Sequence, residues 1–198
     1  MRGLKYNFIF ILPLIVLVSV AFSCNIFSKK PANVDKVDDF TLFDYTGNKH
    51  SLSDYTDSTA IVIIFIATQC PVSNAYNSRM ESIFNEYSEK GIAFIGINSN
   101  KQEDVEEIAE HAEDNNLTFT ILKDEKNVIA DEFAASFTPE VYVLNEDYNI
   151  LYHGRIDDSR RESDVTTTDL KDALDEIIAG QDVSNPETKA FGCTIKRI

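Results

Sequence analysis

An α/β domain built on a mixed sheet is the fold class this sequence predicts, and three features predict it. The first is the run "AIVIIFIA" (Ala60 to Ala67), largely β-branched and without polar alternation, which marks a strand covered on both faces. The second is the alternation of such runs with segments of helical period further along the chain, which calls for parallel pairing. The third is size: 198 residues with 43% hydrophobic and 11% aromatic side chains suffice for one core and not for two.

The elements follow in order. "FTLFDYTGNKHSL", from Phe40, reads as a strand, a turn at Gly47-Asn48 and a second short strand, an N-terminal hairpin ahead of "AIVIIFIA". Pro71 stands where a helix would have its first position, and Val72, Tyr76, Met80, Ile83, Phe84 and Tyr87 form one stripe, so a single helix is expected from there. "GIAFIGINS" is a second buried strand. In "QEDVEEIAEHAEDN", Val105, Ile108, Ala109 and Ala112 fall at helical spacing and seven acids cover the rest, a solvated helix face. "LTFTILKD" then reads as a strand and "NVIADEFAA" as a short helix. "EVYVLNEDYNILYHGRI" supplies two antiparallel strands with a turn near Glu146-Asp147, and "TTTDLKDALDEIIAG" a last helix that stops at Gly180. The final stretch, "QDVSNPETKAFGCTIKRI", has no clear period and carries Cys193 in an apolar setting.

The N-terminus is of another kind. Arg2 and Lys5 precede the fifteen residues Phe8 to Phe22, apolar apart from Pro13 and Ser19, and small residues lead into Cys24, the order of a secretory signal. The apolar run is shorter than the roughly 20 residues of a spanning helix, which favours cleavage. "AFSC" resembles the lipobox of bacterial lipoproteins, which implies lipidation of Cys24, a membrane partner through that lipid anchor, and a periplasmic domain in the bacterial envelope. The expected organisation is a signal peptide at 1–23, a lipidated tether at 24–36, a domain at 37–180 and a C-terminal extension at 181–198. Without Arg2 and Lys5, 16 of the 18 basic residues remain against 33 acids, a net of −17, which repels nucleic acid and anionic head groups. No nucleic-acid partner is expected.

With Cys24 lipidated, Cys70 and Cys193 remain as a pair in a compartment where disulfides persist. Cys70 lies where a buried strand meets a helix. Unpaired N–H groups and the positive end of the macrodipole favour a thiolate there, and the position favours exposure. Pro71 in the first turn costs no hydrogen bond and stiffens the approach. Ser73 stands where a Cys-x-x-Cys pair would place its second cysteine. Its hydroxyl cannot resolve a mixed disulfide but can hydrogen-bond a thiolate. Resolution then falls to an external thiol or to Cys193, whose bland alternative is a small buried hydrophobe.

The ordered set "CPVS", "GIAFIGINSN", "FTPEVYVLN", "GRIDDS" and "TDLKDALDEIIAG...GCTIK" resembles the thioredoxin superfamily. The likeness is greatest to the branch of alkyl hydroperoxide reductase and thiol-specific antioxidant proteins, and there to a peroxiredoxin-like group. It covers roughly Val37 to Lys196. The resemblance implies a thioredoxin fold, a central mixed sheet flanked by helices, here with the N-terminal hairpin added. It implies a thiol-based oxidoreductase that needs no cofactor and no metal. Cys70 would be the nucleophile, Cys193 a resolving thiol, and Thr138-Pro139 a cis pair that positions an extended substrate. The family's peroxide-binding arginine would fall where Pro139 stands, which leaves Arg155 in "HGRIDD" to reach inward as the electrostatic partner. The implied partners are a protein thiol or disulfide, or a peroxide, and an external thiol reductant.

Two other readings compete. A copper chaperone needs Cys-x-x-x-Cys and a distant histidine; His153 is available, but Asn74 stands four past Cys70. A membrane-tethered thioredoxin-like domain that binds partners without turnover would also lack the second cysteine. An inert, inaccessible Cys70 would favour it.

Overall fold

The structure is a computed structural model that describes residues 34–198; the signal segment, Cys24 and most of the expected tether lie outside the described residues. The strand β3 (Ala60–Ile66) is buried along its whole length. It pairs in parallel with β4 (Ile92–Asn98) on one side and antiparallel with β7 (Glu140–Leu144) on the other. Ile61, Ile63 and Phe65 enter one hydrophobic cluster and Val62, Ile64 and Ile66 the other, so the two-residue period of the strand feeds both faces.

Around β3 the sheet grows to seven strands. The hairpin β1 (Thr41–Asp44) and β2 (Lys49–Ser51) joins through β1 to β5 (Thr120–Lys123), β5 pairs in parallel with β4, and β8 (Ile150–Gly154) closes the other edge against β7. The spatial order is β2-β1-β5-β4-β3-β7-β8. The core strands are parallel and the additions at both edges antiparallel, the mixed α/β sheet expected from the sequence. One face is covered by α2 (Asn77–Ser88), α3 (Val105–Asp114) and α5 (Asp169–Ile178), through Met80, Ile83, Tyr87, Ile108, Leu170 and Leu174. The opposite face holds Leu52 together with Ile129 and Phe133 of and beside α4 (Val128–Glu132).

Two differences from the sequence reading matter for the site. The helix expected from Pro71 is broken into α1 (Pro71–Asn74) and α2. Ala75 and Tyr76 donate to carbonyls three residues back, and the Ala75 carbonyl is taken at 3.2 Å by the buried Arg79 guanidinium. That guanidinium also donates to Asp157 Oδ2 (2.5 Å) and to the Ser159 and Arg160 carbonyls, and lies 3.7 Å over the Tyr76 ring. Long-range acceptors thus hold a side chain that interrupts a locally favourable helix.

The second difference is the C-terminal stretch, which has no period because it follows the surface of the domain. Pro186 and Thr188 bond to the His153 backbone. Gly154 admits this passage: at φ 153° a Cβ there would lie 2.0 Å from Thr188 Oγ1. Further on, β9 (Cys193–Thr194) pairs antiparallel with β6 (Phe137–Thr138), with Thr138 opposite Cys193. At the other end, residues assigned to the tether are also engaged: Lys36 bridges Asn149, and Ile150 donates to the Asp35 carbonyl. Among the described residues, no helix is long and apolar enough to cross a membrane.

Candidate active site

Cys70 is the N-cap of α1, in extended conformation after β3, and Pro71 follows at the first helical position. Its sulfur accepts the Ser73 N–H at 3.3 Å, and as a thiol it donates to the Thr138 carbonyl at 3.3 Å. The Thr138-Pro139 peptide is cis, so β6 turns into β7 beside the sulfur. Because β9 lies against β6, Cys193 is carried across 123 residues of sequence to the same point. Both cysteines are free thiols. Cys70, Pro71, Ser73, Thr138, Pro139 and Cys193 therefore form one cluster.

The electrostatics divide the two thiols. Burial would raise the Cys70 pKa. The Cys193 side chain, the Ser73 amide and the Cys193 amide outweigh burial and hold it below the ordinary cysteine value. Cys193 moves the opposite way: burial, the hydrogen bond it gives to Cys70 and the charge on that sulfur raise it. The two shifts run in opposite directions, so Cys70 is the first of the two thiols to ionise.

Three expectations are corrected by this geometry. Cys70 is not exposed at the helix start; only 3% of it meets solvent, whereas Cys193 is half-buried. The Ser73 hydroxyl does not stabilise the thiolate: it is fully buried and accepts the Ala67 N–H at 3.2 Å, and Ser73 reaches the sulfur through its main chain. Arg155 does not reach inward. Its guanidinium pairs with Asp169 (Nε to Oδ2, 2.8 Å) at the start of α5 and donates to the Thr167 hydroxyl just before it. The nearest help for a thiolate is main-chain N–H and the Cys193 thiol.

A polar network behind the loop escaped the sequence reading. The Glu103 carboxylate, 2% exposed, accepts the Thr68 amide at 2.9 Å, the Gln69 amide at 3.1 Å and Asn98 Nδ2 at 2.5 Å. Glu107 accepts from the Thr68 hydroxyl and the Gln69 side chain. Both backbone N–H groups immediately before Cys70 are thus held by one buried carboxylate. Lys123, buried beside it, donates to the Asn100 carbonyl at 2.7 Å and to Asn98 Oδ1 at 3.3 Å; burial lowers its pKa. The available signal was the polar run Asn98-Ser99-Asn100 at the end of a buried strand, since such groups remain inside only when paired. Among the described residues, no three His, Cys, Asp or Glu side chains are arranged to hold a metal ion.

Comparison with known proteins agrees with this architecture. The chain is 32% identical over 124 residues to the thioredoxin-like protein YneN of Bacillus subtilis (strain 168), covering 61% of this chain and 71% of that protein. It is 24% identical over 138 residues to the thiol-disulfide oxidoreductase ResA of Geobacillus kaustophilus (strain HTA426), covering 67% of this chain and 77% of that one. The solved structure of a hypothetical protein from Sinorhizobium meliloti 1021 superposes with a TM-score of 0.77 at 30% identity, over 82% of this chain and 93% of that one. Residues 34–157, the span from the first described residue through Asp157, match the model of the AhpC/TSA family, and the chain belongs to that family.

Proposed function

We propose that this protein is a thiol-based oxidoreductase in which Cys70 attacks a peroxide or a protein disulfide and Cys193 resolves the product. The observation that carries the reading is the register of β6 on β9, which sets Cys193 opposite Thr138, whose carbonyl the Cys70 thiol meets. Family membership and the likeness to ResA and YneN support the class of chemistry.

With a hydroperoxide, the Cys70 thiolate forms an S–O bond as the O–O bond breaks, and the leaving alkoxide takes a proton. Cys193 then loses its proton and attacks the sulfenic sulfur of Cys70, expelling hydroxide that becomes water, and a Cys70–Cys193 disulfide remains. With a protein disulfide, Cys70 forms the mixed disulfide and releases one partner thiolate; Cys193 displaces the other. In either case two electrons from an external thiol reductant restore both thiols. Glu103 and Thr138-Pro139 act as positioning residues for the loop and the sulfur. The signal-like segment and the lipobox-like "AFSC" support an envelope location with lipid on Cys24.

The test is to expose the reduced protein to hydrogen peroxide and map thiols by mass spectrometry, then follow thiol-dependent peroxide or disulfide turnover. A Cys70–Cys193 bridge is expected, with turnover abolished in Cys70→Ser and reduced about 10²-fold or more in Cys193→Ser. Absence of both the bridge and any turnover would leave a non-catalytic, tethered binding domain, the reading that the burial of Cys70 favours.

A further inference from the structure

The segment that delivers Cys193 lies against β6 and α1, beside the buried Cys70. Its docking is built at every step. Phe191 packs against Tyr76 at 6.3 Å between ring centroids, and Gly192 lies so close to β6 that a Cβ would fall 2.0 Å from the Thr138 carbonyl oxygen. Ile195 is 5% exposed within the core, and its N–H bonds to the Ser136 carbonyl. Lys196 bonds through its backbone to Asn100 Oδ1 at 2.8 Å and accepts the Lys101 N–H at 2.9 Å. Arg197 pairs with Asp131 at 2.8 Å and donates to the Ala135 carbonyl, and the Ile198 N–H bonds to Asn127 Oδ1.

We propose that residues 191–198 are a self-docked strand that gates Cys70, with Gly192 as the residue that permits docking. The tail takes the edge of Phe137–Thr138, so an extended protein chain and the tail cannot pair with that edge together. It therefore competes with any protein substrate for the place beside Cys70, and the sulfur becomes reachable when the tail lifts. The gate rests on Cys70 being the reactive thiol, but it does not require that Cys193 complete a catalytic cycle.

Gly192→Val and Arg197→Glu loosen the tail at opposite ends without touching Cys70 or Cys193. The reduced full-length proteins are pulsed with iodoacetamide at neutral pH and the labelled cysteines are mapped by mass spectrometry. In the wild type Cys193 is labelled before Cys70. In both variants Cys70 labelling accelerates by about tenfold or more, as expected when a closed site becomes predominantly open. Circular dichroism and a cooperative melt establish that each variant is folded; Arg197→Glu, at an exposed ion pair, keeps the test alive if Gly192→Val does not fold. Equal Cys70 rates in wild type and a folded variant, or Cys70 labelled first in the wild type, would overturn the gate. The outcome is separate from the peroxide test. A wild type that forms the bridge with variants that label no faster defeats the gate alone, and fast-labelling variants in a protein that never bridges defeat the proposed chemistry alone.

Discussion

Ser73 shows how far a side chain's identity can mislead about its part in a site. As the replacement for a second cysteine it invites a role at the sulfur, yet its hydroxyl serves the buried Ala67 amide and only its backbone N–H faces Cys70. Ser73→Ala is therefore expected to leave the midpoint of the Cys70 alkylation profile against pH nearly unchanged. It should lower stability by about 1–2 kcal/mol in urea titration, because a buried amide is left without a partner. A large rise in the Cys70 midpoint would show that the hydroxyl supports the thiolate after all. Cys70 and Cys193 form the complementary pair: one hydrogen bond lowers the first pKa and raises the second, so neither shift belongs to its residue alone.

Among the elements, the break between α1 and α2 sets the short helix that Cys70 caps apart from the long one behind it. Arg79 holds it by spending both terminal nitrogens on four acceptors, Asp157, Ser159, Ala75 and Arg160. A planar fork can do this and an ammonium cannot. Arg79→Ala should cost about 3–5 kcal/mol in chemical denaturation, since it strands the buried Asp157 carboxylate as well. Arg79→Lys should recover less than half of that loss. Equal stability of the lysine variant and wild type would mean that the fork geometry is immaterial.

The molecule carries a net charge of −15, and its acids act in two opposite ways. Most repel one another on the surface, so raising sodium chloride from about 0.01 to about 0.5 M should lift Tm by roughly 2–4 °C. A few are held ionised by specific partners. Burial would raise Glu140, but His153 and the Ser136 and Phe137 amides outweigh it and lower its pKa. Burial is likewise outweighed in Asp44 by the His50 ring, the Thr46 hydroxyl and the Asn48 and Thr46 amides, which hold the carboxyl well below the usual range. A carboxylate whose pKa is lower folded than unfolded stabilises the fold fully above its unfolded pKa, about 4.3 for a glutamate, and loses that contribution as pH falls through the folded value. Glu140→Gln should thus lower stability by about 1–3 kcal/mol near neutrality and flatten the acid side of the stability profile. An unchanged acid slope would remove Glu140 as a source of it.

Period and punctuation were enough for the sheet, its helices and the cysteine at the strand-helix junction, because those features depend on neighbours within a few residues. "AIVIIFIA" had to be covered on both sides, the acidic segment had to be a solvated helix, and Pro71 had to open a turn. The break at Ala75-Tyr76 was not visible there, since its cause is a guanidinium held from Asp157 to Arg160, some 80 residues away. The same holds for Glu103 beneath the Cys70 loop and for Arg155, whose partner is Asp169. The strand of two residues that carries Cys193 has no period to read; it exists because Gly192 lets the chain approach Thr138 and Ile195 finds a place in the core. A cysteine at a helix start was thus written into local sequence, whereas its cover, its neighbouring thiol and the turning of Arg155 to Asp169 follow from contacts that form when distant segments pack.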